Sequence, residues 1–180
     1  MENQYITRDL FGGAITAKMP SYLVDASDLR QIPDNQEVFL YPHNDASLIV
    51  EVLESVDETD NSKAIKFHFD SLAHDNSAER SEVQEISVIP NDRGDATPSA
   101  IVLHGIQYVK KFNHHESDTV NILMALYRVR HKNVDLAVTL NIPVNLETGG
   151  EVTEADAGEV TKDFKELVTS LRIEDFELFA

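Results

Sequence analysis

The sequence predicts an α+β fold: a single domain over residues 1–180, in which an antiparallel sheet of about six strands is flanked by helices on both faces. The predicted strands cluster along the chain instead of alternating one-for-one with helices, which argues against a doubly wound parallel sheet. Two long β-rich runs are joined by a short polar link, which favours antiparallel pairing. Several strands are apolar on both sides, and such strands need helices on both faces of the sheet.

Apolar spacing divides the first half of the chain into short strands and two helices. Alternating apolar and polar residues predict strands, whereas apolar residues that recur every three or four positions predict helices. Pro20 ends the first strand because proline has no N–H for the ladder, and Pro33 presets the turn before the second. The predicted elements are a polar lead (residues 1–11), a strand (14–19), one helical turn (25–30), a strand (36–41), a helix (48–56) and a second helix that begins after Asn61.

The second half is predicted to supply most of the sheet and one long helix. Residues 133–144 show the clearest period-two alternation in the chain. Thr153-Glu-Ala-Asp156 resembles a capping box, which predicts that a helix begins there. The apolar end, residues 173–180, is expected to dock on the body. The predicted elements are a polar loop (residues 74–81), strands (83–89, 100–112, 119–130 and 133–144), connections (91–99 and 145–152) and a helix (153–171).

The chain is strongly acidic, with 15 Lys and Arg against 32 Asp and Glu and a formal net charge of −17. This excess repels phosphate backbones and anionic lipid, so nucleic acid and membrane surfaces are poor partners and a basic protein surface is a good one. The plainer alternative is that the acidity only keeps the protein soluble. No apolar run is long enough for membrane insertion, and residues 1–10 show no targeting signal. These features suit the cytosol or the nucleus.

Motifs for catalysis and cofactor binding are absent from the sequence. Gly12-Gly13 lacks the Gly-Lys-Ser of a phosphate loop, and neither a Gly-x-Ser-x-Gly elbow nor a His-Glu-x-x-His helix occurs. The chain has no cysteine, which excludes disulfides and thiolate chemistry. The acidic and histidine residues between His114 and Asp118 could catch a metal only adventitiously, and His68 is expected to be a packed edge residue. The sequence therefore predicts no enzyme, no cofactor and no metal site.

The connection from Pro20 to Tyr41 holds a high density of charged and amide side chains beside predicted core residues. Its corner, Pro33-Asp34-Asn35, suits a tight turn into the following strand. Local chemistry alone favours a plain outcome, in which Asp34 bonds its own backbone in an Asx turn and Glu37 is solvated. The other outcome is a presented binding surface, whose candidate residues are Asp25, Asp28, Arg30, Asp34, Gln36 and Glu37.

Four sequence blocks in the first half of the chain point to one family. These blocks are Phe11–Thr16 (FGGAIT), Asp25–Arg30 (DASDLR), Pro33–Phe39 (PDNQEVF) and Ser47–Glu54 (SLIVEVLE). Together they closely resemble the Ran guanine nucleotide release factor family, also called the Mog family, in order and in spacing. The second half agrees more loosely, through the strand ending in Arg128, the strand containing Asp135 and the final Leu178-Phe179.

The resemblance implies a non-enzymatic, Ran-binding Mog/PsbP-like domain that promotes guanine nucleotide release from the GTPase Ran and supports nuclear protein import. It also implies location in the nucleus and cytoplasm and no cofactor. A monomer is expected, and whether a further Ran-binding protein assists is left open. The family's Ran-binding acidic residues fall on the Pro-Asp-x-Gln-Glu block, hence on Asp34 and Glu37. The implied set is completed by their neighbours Asp25, Asp28, Arg30 and Gln36.

A rigid carboxylate pair suggests a mechanism for nucleotide release. A GTPase holds its nucleotide with a lysine, backbone amides and Mg²⁺ around the phosphates. A partner that favours the nucleotide-free state loosens nucleotide binding by the same factor, because coupling between two ligands is reciprocal. On this hypothesis Asp34 and Glu37 pair with cations that the phosphates and Mg²⁺ otherwise occupy or screen.

Two alternatives to a Ran-binding protein remain on sequence grounds. One is an acidic adaptor that binds other basic protein surfaces, for example in membrane-protein trafficking; a pull-down with and without Ran separates it from a release factor. The other is a hydrolytic or small-molecule enzyme, which needs a deep pocket with convergent polar groups. No such pocket is expected near residues 34–37.

Overall fold

The computed structural model describes residues 4–109, 118–145 and 152–180, which form ten strands and two α-helices. The N-cap predicted at Thr153 is present, because the Thr153 side chain accepts a hydrogen bond from Asp156 N at 3.2 Å at the start of the second helix. The strands are β1 (Tyr5–Leu10), β2 (Ile15–Pro20), β3 (Val24–Asp25), β4 (Gln36–Leu40), β5 (Ser47–Glu54), β6 (Ala78–Ile89), β7 (Ala100–Val109), β8 (Asp118–Val129), β9 (Val134–Asn145) and β10 (Arg172–Ile173), and the helices are α1 (Asn61–Asp75) and α2 (Glu154–Ser170).

The main sheet has seven antiparallel strands in the order β3-β4-β5-β9-β8-β7-β6. The predicted hairpin between β7 and β8 is confirmed, with Val102 opposite Ala125. The α+β class and the antiparallel sheet are therefore confirmed. The expected count of about six strands differs because β2 lies in another sheet, whereas β3 and β5 join the main one.

Helices lie on both faces of the main sheet, as predicted. Successive residues of β8 alternate between two cores: Tyr127 packs in the core that α2 covers, and Leu126 packs in the core that α1 covers. From α1, Ile65 and Phe69 are completely buried in the smaller core. From α2, Phe164 packs in the larger core. The two cores account for strands that are apolar on both sides.

A second sheet of three strands, in the order β1-β2-β10, packs against α2. The expected polar lead over residues 1–11 is therefore wrong for residues 5–10, which form β1. This edge strand exposes half of its side chains and buries only Leu10, so it has little apolar alternation to detect. Docking of the apolar end is confirmed, because Ile173 pairs with Ile15 and Phe179 is buried in the larger core.

The predicted helix over residues 48–56 is wrong: residues 47–54 form β5. This strand lies between β4 and β9 in the main sheet, and each of its faces packs against one of the two cores. Leu48 and Val50 are completely buried on one face, while Leu53 on the other packs against the smaller core. A strand with apolar residues on both faces loses its period of two and can imitate a helical stripe.

The predicted polar loop over residues 74–81 is also partly wrong, because α1 runs to Asp75 and β6 begins at Ala78. The first residues of β6 are polar because the strand is an edge of the sheet, and two register shifts interrupt its pairing with β7. Residues 110–112 of the predicted β7 strand, and most of the predicted loop over 145–152, lie outside the described residues. Over the described ranges, no helix is long and apolar enough to cross a membrane.

Candidate functional site

The corner before β4 is a tight turn fixed to the neighbouring strand. Gln36 N donates to Pro33 O at 3.0 Å, which closes the turn. Asn35 then holds β5 from both its backbone and its side chain: Asn35 O accepts from Val52 N at 2.9 Å, and Asn35 Nδ2 donates to Val52 O at 3.1 Å. The corner is therefore rigid, and Asn35 is one of the residues that hold it in place.

Asp34 projects from this corner into solvent. Its side chain is exposed, and no hydrogen bond to its carboxylate is present among the described residues. The plain outcome expected from local chemistry, an Asx turn at Asp34, is not formed, because the turn closes through backbone groups instead. The carboxylate is left available to a partner.

Glu37 lies in β4, directly after the corner, and a backbone N–H group holds its carboxylate in place. Its Oε1 accepts a hydrogen bond from Phe11 N at 2.8 Å, across 26 residues of sequence. The expectation that Glu37 is simply solvated is therefore wrong; the side chain is half-buried. Because residues alternate along a strand, Glu37 and Phe39 face the larger core, whereas Gln36 faces the opposite side.

The partner of Glu37 is a strained turn. Phe11 has φ of +51°, and it is followed by Gly12 at +70° and Gly13 at +94°. Left-handed backbone is unfavourable for a bulky side chain such as phenylalanine and is tolerated where the surroundings fix it. The Phe11–Gly13 turn joins β1 to β2. Its hydrogen bond to Glu37 therefore connects the three-stranded sheet to residues 33–37, which we call the acidic corner.

Arg8 makes a second tie between β1 and the same region. Its guanidinium donates to Leu23 O at 2.8 Å and to Ser21 O at 3.2 Å, and it lies 5.3 Å from the centroid of the Phe39 ring. Sequence reasoning missed this residue, because its position in the supposed polar lead gave no reason to expect a contact with β4.

Gln36 and Glu51 form a pair on the opposite face of β4 and β5. They are directly opposite each other in the register, and Gln36 Nε2 donates to Glu51 Oε2. Gln36 is thus occupied by a neighbour within the sheet, and it is turned away from Glu37. Its place in the predicted partner-binding set is the weakest on geometric grounds.

The segment from Asp25 to Arg30 is a short 3-10 turn beside β4. Asp25 pairs with Phe39 in the sheet register, and its side chain accepts from Ser27 N at 2.9 Å. Asp25 therefore serves as the cap of the turn, with its carboxylate already bonded. Asp28 and Arg30 are exposed on the outer side. The structure thus brings the turn and the corner onto one end of the main sheet.

A buried polar cluster lies elsewhere, between α1 and the main sheet. His68 Nε2 lies 2.8 Å from Asp135 Oδ2, and Arg128 Nε donates to Asp135 Oδ1 at 3.1 Å. Arg128 also donates to Val56 O at 2.9 Å and to Glu58 O in the loop before α1. His68 is not merely a packed edge residue, because it hydrogen-bonds a completely buried carboxylate.

The charge of Asp135 is retained despite burial. Burial by itself raises the pKa of this carboxyl, but hydrogen bonds from His68, the Val56 amide and Arg128 outweigh it and hold the pKa below its ordinary value. The cluster fastens the loop over residues 55–60 to β8 and β9. It therefore supports the fold, and none of its residues lies between Pro20 and Tyr41, where the candidate site is.

A further buried carboxylate, that of Asp163 in α2, accepts hydrogen bonds from two tyrosines. Tyr5 OH donates to Oδ1 at 2.8 Å, and Tyr41 OH donates to Oδ2 at 2.9 Å. Burial is the largest cause that raises the pKa of both phenols, and the hydrogen bond to Asp163 and its negative charge add to it. Both phenols are therefore held in the neutral form.

We expect alkaline unfolding to coincide with ionisation of these phenols. A phenol whose pKa is raised by folding contributes stability that is present below the ordinary tyrosine pKa of about 10 and is lost as the pH rises beyond it. The absorbance of tyrosinate should thus rise in a steep step together with loss of tertiary structure. In Tyr41→Phe, the step should be smaller. Smooth ionisation of both Tyr5 and Tyr41 near pH 10 in a folded chain would contradict the assignment.

The described surface has a cleft of about 780 Å³, but it is not at the corner. It is lined by residues such as Tyr41, Ser47 and Asn141, and residues 34–37 do not line it. Over the described ranges, no group of three or more metal-ligating side chains is arranged to hold an ion. The predicted adventitious metal ligands His114, His115 and Glu116 lie outside the described residues.

Fold and corner together define a class: an antiparallel α+β protein that presents a rigid acidic turn at one end of its main sheet. A family model described as "Ran-interacting Mog1 protein" matches residues 8–143. The chain belongs to this family.

Named relatives and a solved structure agree with that membership. A zebrafish (Danio rerio) protein named Ran guanine nucleotide release factor is 35% identical over 97% of this chain and 100% of its own length. The Saccharomyces cerevisiae nuclear import protein MOG1 is 28% identical over 96% of this chain and 84% of its own. A 1.9 Å crystal structure of the Saccharomyces cerevisiae Ran-binding protein Mog1p superimposes with a TM-score of 0.77 at 26% identity, covering 99% of this chain and all of that one. The resemblance stated from the sequence blocks is confirmed.

Proposed function

We propose that this chain is a single Ran-binding domain that promotes guanine nucleotide release from Ran and supports nuclear protein import. Family membership is the observation that carries the proposal, since the matching family is described as Ran-interacting and the relatives are named as a release factor and a nuclear import protein. The chain acts by binding and not by catalysis, and it works in the nucleus and the cytoplasm.

The acidic corner is the proposed contact surface. Asp34 supplies an exposed carboxylate on a turn that is fixed to β5, and Glu37 supplies a second carboxylate whose position is set by Phe11 N. Fixed carboxylates bind cationic groups with little loss of conformational entropy, which favours tight binding. Asp25, Asp28, Arg30 and Gln36 form the surrounding surface, with Asp25 and Gln36 already bonded within the protein.

Nucleotide release follows if these carboxylates pair with cationic groups of Ran that otherwise hold the phosphates and Mg²⁺. Because coupling is reciprocal, preference for nucleotide-free Ran loosens the nucleotide by the same factor. Each tenfold loosening requires about 1.4 kcal/mol of differential affinity. One charge-assisted hydrogen bond contributes about 1.5–3 kcal/mol, which is enough for the effect.

Asp34→Asn is expected to slow nucleotide release from Ran by about tenfold, because it removes one charge-assisted contact and keeps the shape of the side chain. The measurement is release of a fluorescent guanine nucleotide from Ran with increasing concentrations of this protein. Glu37→Gln should also slow release, while its amide oxygen still accepts from Phe11 N and preserves the fold.

Glu85→Gln is the matched control, since it removes the same charge from an exposed position on β6, at the opposite edge of the main sheet. It should release nucleotide at the parental rate. Equal release by the Asp34, Glu37 and Glu85 variants would show that the corner is not the contact surface. A parent protein that neither binds Ran nor accelerates release would reject the proposed function itself.

A further inference from the structure

The turn beside β4 exposes a leucine, Leu29, between the exposed charged residues Asp28 and Arg30. Leu29 is 69% exposed, against 58% for Val88 and 57% for Phe67, the next most exposed large apolar side chains of the described residues. A single exposed apolar residue is common on protein surfaces and means little alone. Its surroundings decide whether it has a function.

The backbone that presents Leu29 is fixed without help from its side chain. Leu29 N and Arg30 N both donate to Ala26 O at 3.0 Å, and Ala26 is completely buried. Asp25 Oδ1 caps the turn through Ser27 N at 2.9 Å and Ser27 Oγ at 2.7 Å. The leucine therefore does not stabilise the turn, and the turn holds the leucine outward.

The turn and the acidic corner form one surface. Asp25 pairs with Phe39 in the register, so the turn that follows it packs beside β4, the strand that bears Glu37. Asp28 and Asp34 bring exposed carboxylates to this surface, and Asp25 and Glu37 bring half-buried ones that are already bonded within the protein. The exposed guanidinium of Arg30 and that of Arg8, which is bonded to Leu23 O, only partly offset this negative charge. Its chemistry is an apolar side chain surrounded by net negative charge. A complementary partner has an apolar depression with lysines or arginines at its rim.

We propose that Leu29 is the apolar anchor of the Ran contact, which inserts into an apolar depression on Ran while the carboxylates around it pair with basic residues at the rim. This inference rests on the proposed function and deepens it, because the acidic residues alone explain attraction but not close packing. An anchor that is already ordered on a rigid turn binds with a small entropy cost. The binding energy of an interface concentrates in a few fully desolvated side chains near its centre, and the contacts around them exclude water.

Leu29→Ser tests the anchor. Burial of a whole leucine side chain contributes enough that its loss should weaken Ran binding by about ten- to a hundredfold. The variant should unfold at the parental urea concentration, since the side chain is mostly exposed. In the fluorescent-nucleotide assay, the concentration that gives half-maximal release should rise by the same factor. Leu29→Met, which keeps an apolar side chain of similar size, should retain most of the parental activity.

Val88→Ser is the matched control. Val88 is exposed to a similar degree but lies on β6, at the edge of the main sheet farthest from the turn. It should bind Ran as the parent does. Equal weakening by Leu29→Ser and Val88→Ser would overturn the anchor, because the loss would then reflect apolar surface in general.

Kinetics separate the anchor from the charges. Exposed charges act mainly on the association rate and its salt dependence, whereas a buried contact acts on the dissociation rate. Leu29→Ser should therefore raise the dissociation rate and leave the salt dependence of association unchanged, and Asp34→Asn should reduce that salt dependence. Parental binding by Leu29→Ser, while the parent still releases nucleotide, would overturn the anchor alone. Failure of the parent to bind Ran would overturn both the anchor and the proposed function.

Discussion

Asp135→Asn is expected to lower the free energy of unfolding by about 3–5 kcal/mol, because it removes the negative partner of a buried guanidinium. Asp135 is completely buried, and its carboxylate oxygens lie 3.1 Å from Arg128 Nε and 2.8 Å from His68 Nε2. The amide that replaces it can accept at one oxygen only and turns a donor toward donors. Urea unfolding should show a lower midpoint with an unchanged slope.

The control for this prediction is an exposed ion pair. Lys66 and Asp70 lie on adjacent turns of α1 at 3.8 Å, and both side chains are more than half exposed. Asp70→Asn should therefore cost less than about 0.5 kcal/mol. A cost for Asp135→Asn as small as that of Asp70→Asn would mean that the buried cluster does not stabilise the fold.

The pH dependence gives the same prediction a second measurement. Since folding lowers the pKa of Asp135, its contribution to stability is present above the ordinary Asp pKa of about 3.9 and is lost as the pH falls through the folded value. The difference in stability between the parent and Asp135→Asn should thus shrink at pH values below about 4. A difference that stays constant into acid would exclude the charge of Asp135 as its cause.

Gly105→Ala is expected to be the other strongly destabilising change, by about 1–3 kcal/mol. A Cβ at this position of β7 would lie 2.6 Å from Phe69 Cζ and 2.8 Å from Glu82 O. Phe69 of α1 is completely buried, and Glu82 O belongs to the backbone of β6, so neither can move aside easily. Either the ring or the pairing of β6 with β7 must shift. Thermal unfolding of the variant gives the cost.

Gly158→Ala is the matched substitution with the opposite sign. Gly158 is exposed within α2, and an added Cβ meets no atom within 4 Å. Alanine in a helix is more favourable than glycine by about 0.5–1 kcal/mol, so this variant should melt at a higher temperature. If both alanine variants were destabilised equally, the loss at position 105 could not be assigned to the contact with Phe69.

The secondary structure around the candidate site was largely predictable from the sequence, but the contacts of its side chains were not. Proline and Asp-Asn turn chemistry placed the corner at residues 33–35 and the strand from Gln36 onward, and both are present. The hydrogen bond from Phe11 N to Glu37 could not be predicted. It requires a phenylalanine in the left-handed region and spans 26 residues, and neither property leaves a local pattern in the sequence.

Burial on two faces explains the main errors in the predicted fold. β5 is flanked by β4 and β9 and was predicted as a helix, because its apolar residues lie on both faces and obscure the period of two. β1 and the start of β6 were predicted as polar loops for the converse reason, since edge strands expose polar residues and resemble loops in sequence. The apolar stripe of α2 and its Thr153 cap were correct because both signals are local to the helix.

The position of β2 between β1 and β10 has a consequence for synthesis on the ribosome. Ile15 and Thr16 pair with residues 172–173, so the small sheet is completed only after α2 has been made. The Phe11–Gly13 turn that fixes Glu37 joins the first two strands of that sheet. Contacts between distant parts of a chain form late and slowly. A nascent or truncated chain that lacks β10 would therefore display the acidic residues without the fixed geometry, which only the complete fold provides.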